Sequence, residues 1–225
     1  MAKPYYQEEG ITIYHGDCRE IMPLFPVEGG MASGASAVLV CDPPYGLNCD
    51  LNTKGDRIAN DEKTDLRDWL AACNLPTIMF GSPKIPKPAS TKLTLIWDKS
   101  ELTGMGNLDL PWKATHEEIY IIGEGFKAIR RRGSVLRYPL RPPWTNHPNA
   151  VSGLHPNEKP VGLMVDLLEC CPMDEIWDAT CGSGATLEAA KMLGKIAYGI
   201  ELEEKYCEIA ANRLRQSVLN FEVPA

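Results

Sequence analysis

Residues 175–186 read Glu-Ile-Trp-Asp-Ala-Thr-Cys-Gly-Ser-Gly-Ala-Thr and lead into an apolar run with helical spacing. The pattern predicts a strand, a glycine-rich turn and a helix, so backbone can approach a ligand closely beside the positive end of that helix. The dinucleotide fingerprint G-x-G-x-x-G/A fails because Leu187 occupies its third small position, and no Gly-Lys-Ser/Thr phosphate loop is present. The turn therefore either binds a ligand that is not held through phosphate groups, or it serves packing alone.

A second motif lies far earlier in the chain. Residues 38–41 form an apolar run that leads directly into Asp42-Pro43-Pro44-Tyr45. In α/β folds the carboxyl ends of strands carry sites, and prolines, which fix φ, present their carbonyls rigidly beside a carboxylate and an aromatic ring. Taken alone, the motif is more typical of a proline-rich turn that caps a strand.

The rest of the chain alternates short β-branched runs with helical patterns. This alternation predicts one α/β domain, residues 1–225, with a largely parallel sheet. The predicted strands are residues 11–14, 37–41, 77–80, 93–97, 118–122, 175–177 and 196–200. The predicted helices are residues 18–24, 64–72, 161–168, 183–193 and 203–216. Loops are predicted at residues 49–63, 82–90 and 131–160, the last with six prolines.

Two further sequence features are weaker indications of a ligand site. Glu201 ends a predicted strand 23 positions after Asp178, a distance that suits an acid bonding ribose hydroxyls, although Glu201 could equally cap the last helix. The element His155-Pro156-x-x-Lys159-Pro160 precedes a predicted helix, and Pro160 suits its first turn. A lone histidine beside a proline is more typical of loop surface.

Composition excludes several classes of protein. A net charge of −7 and a pI near 5.2 argue against a generally basic nucleic-acid binder. The eight cysteines form no C-x-x-C pair, so neither a zinc site of the usual spacing nor a redox dithiol is indicated, and free thiols fit a reducing compartment. The polar start and the lack of a long apolar run predict neither a secretory signal nor a membrane span. We expect no metal and a cytoplasmic location.

In this order and spacing, the four motifs resemble those of the DNA amino-methyltransferases, specifically the β group, whose catalytic half precedes its cofactor half. The resemblance extends over about residues 11–216 and includes His15-Gly16-Asp17-Cys18, the run from Leu93 to Lys99, and His116-Glu117-Glu118-Ile119-Tyr120. It implies a Rossmann-like, S-adenosylmethionine-dependent methyltransferase fold in permuted order, with helices on both faces of the sheet. It further implies S-adenosylmethionine as cofactor, double-stranded DNA as substrate and a bacterial or phage-infected cell.

The resemblance also implies roles for individual residues. The catalytic motif is Asp42-Pro43-Pro44-Tyr45. The Asp42 carboxylate and the Pro43 carbonyl would accept the hydrogens of an exocyclic amine, which frees its delocalised lone pair, and Tyr45 would stack on the flipped base. The implied cofactor-binding residues are Asp17, Cys18, Asp42, His155, Lys159, Asp178, Thr180, Gly182, Ser183, Gly184 and Glu201.

Within this family, aspartate at the first motif position is associated mainly with N6 of adenine and serine with N4 of cytosine. Asp42 therefore favours adenine. The alternatives are an N4-cytosine enzyme of the same fold, a methyltransferase that acts on RNA or on protein, and a catalytically silent DNA-binding subunit.

Residues 127–157 contain six basic residues and no Asp or Glu, with aromatic residues between them. This mixture suits phosphate contacts and the stacking of a displaced base, so we interpret the stretch as an inserted target-recognition segment, with residues 49–63 as a flap over the base. Its candidate DNA-binding residues are Lys127, Arg130, Arg131, Arg132, Arg137, Arg141, Trp144 and His147. So short a recognition segment is compatible with a homodimer. The family resemblance is also compatible with a cognate restriction endonuclease as partner.

Overall fold

The computed structural model describes residues 2–25, 37–46, 64–99, 109–126, 131–139 and 158–217. Nine strands in these ranges form one sheet: β1 (Tyr6–Glu8), β2 (Ile11–His15), β3 (Ala37–Cys41), β4 (Thr77–Gly81), β5 (Thr91–Asp98), β6 (His116–Ile122), β7 (Val135–Arg137), β8 (Glu175–Asp178) and β9 (Ile196–Glu201). The helices of these ranges are α1 (Cys18–Ile21), which continues into a 3₁₀ turn (Met22–Leu24), α2 (Asp65–Ala72), α3 (Val161–Glu169), α4 (Ala185–Met192) and α5 (Glu204–Ser217).

The strand order in the sheet is β1-β2-β9-β8-β3-β4-β6-β5-β7. The five central strands β2, β9, β8, β3 and β4 all pair in parallel. Antiparallel pairs flank them, β1 with β2 at one side and β4 with β6 and β6 with β5 at the other. The prediction of a largely parallel α/β sheet is confirmed.

Both faces of the sheet are covered by helices. Val38 and Val40 of β3 belong to a buried cluster that includes residues of α3, α4 and α5. Leu39 and Cys41 belong to a second cluster, which includes residues of α1 and α2. Every residue of β3 is buried, which explains why this central strand appears in the sequence as a continuous apolar run rather than an alternating one.

The chain leaves the neighbouring strands β3 and β8 towards opposite edges of the sheet. From β3 the chain passes through α2 to β4 on one side, whereas from β8 it passes through α4 to β9 on the other. A crevice opens at such a switch point, outside the carboxyl ends of the strands, and ligands of open α/β sheets bind there. The two sequence motifs lie at this point, because one directly follows β3 and the other starts at the end of β8.

Four corrections concern local structure. Strands β1 and β7 were not predicted, and the predicted loop at residues 131–160 is wrong at Val135–Arg137, which pairs in parallel with the edge of β5. Strands of three residues are too short to show a period of two in the sequence. The helix predicted to begin at residue 183 begins at Ala185, because Gly184 is left-handed with φ 82°. The helix predicted over residues 18–24 ends in a 3₁₀ turn.

The predicted loop at residues 82–90 is confirmed. The predicted flap at residues 49–63 lies outside the described residues. No helix in the ranges given above is long and apolar enough to cross a membrane.

Candidate active site

A cavity of about 570 Å³ occupies the crevice at the switch point. It brings together side chains and backbone from both halves of the chain. The residues predicted from sequence that line it are Asp17, Cys18, Asp42, Pro43, Pro44, Tyr45, Lys159, Asp178, Thr180, Gly182, Ser183 and Glu201. Gly184 lies next to this lining, at the start of α4, whereas His155 lies outside the described residues.

The glycine-rich turn is held in place by Glu201. One carboxylate oxygen of Glu201 accepts the backbone N–H of Gly182 at 3.0 Å, and the other accepts that of Glu203 at 2.8 Å. Gly182 and Gly184 both have left-handed φ values, and a Cβ on Gly184 would lie 2.9 Å from the Cβ of Ala210. The turn therefore requires glycine at these two positions for conformation, and at Gly184 also for close packing against α5.

Asp178 lies buried at the end of β8, below the turn. Burial raises the pKa of its carboxyl to about 7, against hydrogen bonds from the Thr186 hydroxyl and from the backbone N–H of Thr180, the latter at 3.1 Å. A carboxyl group that is partly protonated near neutral pH becomes fully ionised when a cation binds beside it. Asp178 is therefore suited to receive a positively charged group of a ligand.

Asp42 is held by three contacts. Its Oδ1 accepts the Tyr45 hydroxyl at 2.7 Å, and its Oδ2 lies 2.6 Å from Nζ of Lys159. Its backbone N–H donates to Oγ1 of Thr180 at 2.9 Å, across the boundary between β3 and β8. Thr180, predicted as a cofactor contact, thus joins the catalytic motif to the glycine-rich half of the crevice.

Two charged residues that sequence reasoning left without a role extend this arrangement. Glu117, on β6, lies 3.3 Å from Lys159 through its Oε2 and forms an ion pair through Oε1 with Lys99, which follows β5. Burial opposes ionisation of Glu117, yet Lys159 and Lys99 lower the pKa of its carboxyl below the ordinary value. The only sequence signal was the presence of both residues in segments that resemble the family.

The model of the DNA methylase family (N6_N4_Mtase) matches residues 80–212, more than half of the chain. The chain belongs to the N6/N4 DNA methylase family. The resemblance noted from the motifs is thus confirmed, and the protein is a DNA methyltransferase.

Individual relatives extend over nearly the same length as this methylase. It is 28% identical to YubD of Escherichia coli (strain K12) over 221 residues, 88% of each chain. It is 23% identical to the type II methyltransferase M.ScaI of Streptomyces caespitosus, covering 95% of this chain and 84% of the relative.

Solved structures share its fold. The M1.HpyAVI–SAM complex superposes with a TM-score of 0.61 at 22% identity, covering 90% of this chain and 99% of that one. The PvuII DNA methyltransferase (cytosine-N4-specific) gives a TM-score of 0.66 at 13% identity, covering 99% and 91%. The predicted Rossmann-like methyltransferase fold is confirmed.

At the rim of the methylase crevice, Asp17 caps α1 and binds Arg19. The backbone N–H of Arg19 donates to Asp17 at 2.9 Å, and the Arg19 guanidinium lies 2.5 Å from the carboxylate and lowers its pKa. The backbone N–H of Gly16 donates to the Glu201 carbonyl at 2.9 Å, which sets Asp17 next to the glycine-rich turn. Burial raises the pKa of the Cys18 thiol to about 12, so the thiol that lines the crevice here stays protonated at neutral pH.

The basic segment is less uniform than its composition suggests. Arg131 is exposed, and Arg137 is 79% exposed with its Nε 3.4 Å from Asp98. Arg132, in contrast, lies 2.5 Å from Asp166 and 2.8 Å from Glu169, both on α3. Its charge is therefore largely committed within the fold. The remaining candidates of this segment lie outside the described residues: Lys127, Arg130, Arg141, Trp144 and His147.

Arg213 of the methylase was not predicted as a functional residue. Its guanidinium contacts Glu188 of α4 at 2.5 Å and Glu158, next to Lys159, at 2.6 Å. It also donates to the carbonyl of Ser183 at 3.1 Å. Arg213 thereby ties the glycine-rich turn to the segment that carries Lys159. Because its partners lie 25 or more residues away in the chain, no local pattern could have revealed it.

Proposed function

We propose that this DNA methylase transfers a methyl group from S-adenosylmethionine to N6 of a flipped adenine in double-stranded DNA. The observation that carries the proposal is the position of Asp42 at the switch point, where Thr180 links it to the glycine-rich half and Lys159 holds it. An aspartate rather than a serine at the first motif position supports adenine over cytosine.

The residues of the crevice fit S-adenosylmethionine. The amino-acid end of this cofactor carries an ammonium group, which the buried Asp178 would receive, and Glu201 is available to ribose hydroxyls at the end of β9. The cavity of about 570 Å³ falls in the usual range for cofactor sites. When bound, the cofactor supplies an electrophilic methyl group on its sulfonium. A similar protein, M1.HpyAVI, has been solved as a complex with this cofactor.

The chain's own residues would activate the target amine. An exocyclic amine is a poor nucleophile because its lone pair is delocalised into the ring. Acceptance of both hydrogens by the Asp42 carboxylate and the Pro43 carbonyl would favour the tetrahedral nitrogen of the transition state. Because the Tyr45 hydroxyl bonds Oδ1 of Asp42, the amine must compete with it for that oxygen. Displacement of the hydroxyl would leave the Tyr45 ring available to stack on the base, and the spare proton would pass to Asp42 or water.

DNA binding needs a positive surface on an acidic protein. We assign this role to residues 127–157, in which Arg131 and Arg137 are exposed cations of the described part. Such a segment would orient the duplex through its phosphates, whereas the acidic remainder of the surface would repel it.

The test is to incubate the protein with methyl-labelled S-adenosylmethionine and unmethylated DNA, digest the DNA and separate its nucleosides. We expect the label in N6-methyladenine. Label in N4-methylcytosine would assign the protein to the cytosine enzymes of the same family. Label only in parallel RNA or protein reactions, or in none, would overturn the proposal. Heat-inactivated protein gives the background.

A further inference from the structure

Four charged side chains of alternating sign extend from the catalytic motif into the sheet: Asp42, Lys159, Glu117 and Lys99. Adjacent members are in ionic contact at every step, 2.6 Å from Asp42 to Lys159 and 3.3 Å from Lys159 to Glu117. Lys99 closes the series on the far oxygen of Glu117. Two cations and two anions make the row electrically neutral, although its members come from four different segments of the chain.

Burial makes this neutrality necessary. Lys159 is buried, with its ammonium 5.0 Å from the ring centre of Phe80 and 5.7 Å from that of Trp97. The side chains of Glu117 and Lys99 are 17% and 16% exposed. An ion in such surroundings is stable only when opposite charges lie beside it, and removal of one partner leaves an uncompensated charge.

Glu117 contributes a negative charge to the row, although its carboxylate does not have a complete set of hydrogen bonds. Its Oε2 is buried and has no hydrogen-bond partner among the described residues, although it lies 3.3 Å from the Lys159 ammonium. The contact of this buried oxygen with Lys159 is ionic, and Glu117 therefore acts on Lys159 through its charge.

We infer that Glu117, itself balanced by Lys99, is a positioning residue for methyl transfer, because it shares the Lys159 ammonium with Asp42. Lys159 then holds Oδ2 of Asp42 in place, and the neutral row leaves no excess positive charge beside the carboxylate that accepts the target amine. This inference rests on the proposed function. Without the charge of Glu117, the ammonium groups of Lys159 and Lys99 would leave one excess positive charge beside Asp42, and Asp42 would become a weaker acceptor.

Three variants test this inference through their net charge. Glu117→Gln leaves the row with one excess positive charge, Lys99→Met leaves one excess negative charge, and the double variant is neutral again. We expect Glu117→Gln to lower the single-turnover rate of methyl transfer by at least about tenfold, with KM for the cofactor nearly unchanged, and the double variant to recover most of that rate. Independent roles of Glu117 and Lys99 predict that the two losses add.

The matched control is the ion pair between Lys92 and Glu124, which joins the opposite ends of the same strands at the surface. Lys92→Met and Glu124→Gln should leave the transfer rate unchanged, because exposed pairs contribute little. Urea unfolding of the cofactor-free protein gives a second readout: the midpoint should fall in Glu117→Gln and rise again in the double variant.

The outcomes separate the two proposals. A wild-type protein that methylates no DNA overturns the proposed function and, with it, the role of Glu117. Wild-type activity combined with additive losses in the double variant overturns only the role of Glu117. Recovery of the unfolding midpoint without recovery of the transfer rate also overturns it, because the row would then stabilise the fold and nothing more.

Discussion

Protonation of Asp178 should control cofactor binding near neutral pH. Burial raises the pKa of this carboxyl to about 7, and only the ionised form attracts an ammonium group. Between about pH 7.5 and about pH 6, the ionised fraction falls from about three quarters to about one tenth. The α-amino group of the cofactor becomes somewhat more protonated over this range, so affinity for S-adenosylmethionine should weaken about sixfold.

Isothermal titration of the wild-type protein at several pH values measures this effect directly. Asp178→Asn is the control, since its amide cannot ionise: it should bind the cofactor more weakly than wild type at about pH 7.5, and its affinity should not change with pH. Wild-type affinity that is flat between these pH values, or an Asp178→Asn variant that binds as tightly as wild type, would refute the role of Asp178.

The Asp178 carboxyl should also affect the free energy of unfolding, which should fall as pH rises, whereas affinity for the cofactor should rise. Its pKa in the folded protein lies above its ordinary value of 3.8, so the folded state binds the proton more tightly than the unfolded state does. Its contribution to the free energy of unfolding is present at low pH and is lost as pH rises through about 7, by up to about 4 kcal/mol at about 1.4 kcal/mol per pH unit. Cofactor-free Asp178→Asn should therefore resist urea better than wild type above about pH 7.

Three further predictions concern the contacts of the catalytic motif and the basic segment. Thr180→Val should slow methyl transfer about tenfold, because the backbone N–H of Asp42 loses its acceptor, whereas Thr180→Ser should retain the rate; single-turnover kinetics compare the two. Tyr45→Phe should keep the single-turnover transfer rate, because this change frees an oxygen of Asp42 and retains the aromatic ring. Tyr45→Ala removes the ring and should lower the affinity for DNA, which the dependence of the same rate on DNA concentration reports. Arg137→Gln should reduce the salt slope of DNA affinity by about 0.9, whereas Arg132→Gln should leave the slope unchanged and lower the free energy of unfolding.

Each of these comparisons has a contradicting result. Equal rates in Thr180→Val and Thr180→Ser would show that the hydroxyl does not hold the catalytic motif. A loss of transfer rate in Tyr45→Phe would assign the hydroxyl a catalytic role. A larger change of salt slope in Arg132→Gln than in Arg137→Gln would show that Arg132 meets phosphate in spite of its partners on α3.

The fold was predictable because its central strands carry strong local signals. Strand β3 is a short apolar run that ends in Asp-Pro-Pro-Tyr, and β8 is a short strand that leads into a glycine-rich turn, so both type and position could be inferred from local sequence. Strand β7 could not, because its three residues join the sheet only through the edge of β5. Topology then places both motifs at one switch point, and the residues that line the crevice follow from this placement.

What the sequence could not reveal is pairing between distant charges. Arg132 looks like one of six unpaired cations when only neighbouring residues are counted, yet its carboxylate partners lie on α3. Lys159 was expected near the cofactor, but its closest anion is Asp42, more than a hundred residues earlier in the chain. Glu117 received no role for the same reason. Ion pairs of this kind depend on the folded topology, which local spacing does not encode.

The most direct test of the account is the separation of methyl transfer from cofactor binding in Asp42→Ala. We expect single-turnover transfer to DNA to fall at least about 100-fold, because the amine loses its acceptor, while affinity for S-adenosylmethionine stays within about twofold of wild type. Asp174→Ala, whose parent side chain is 96% exposed, is the control and should transfer normally. Transfer by Asp42→Ala at a rate near that of wild type would contradict the account.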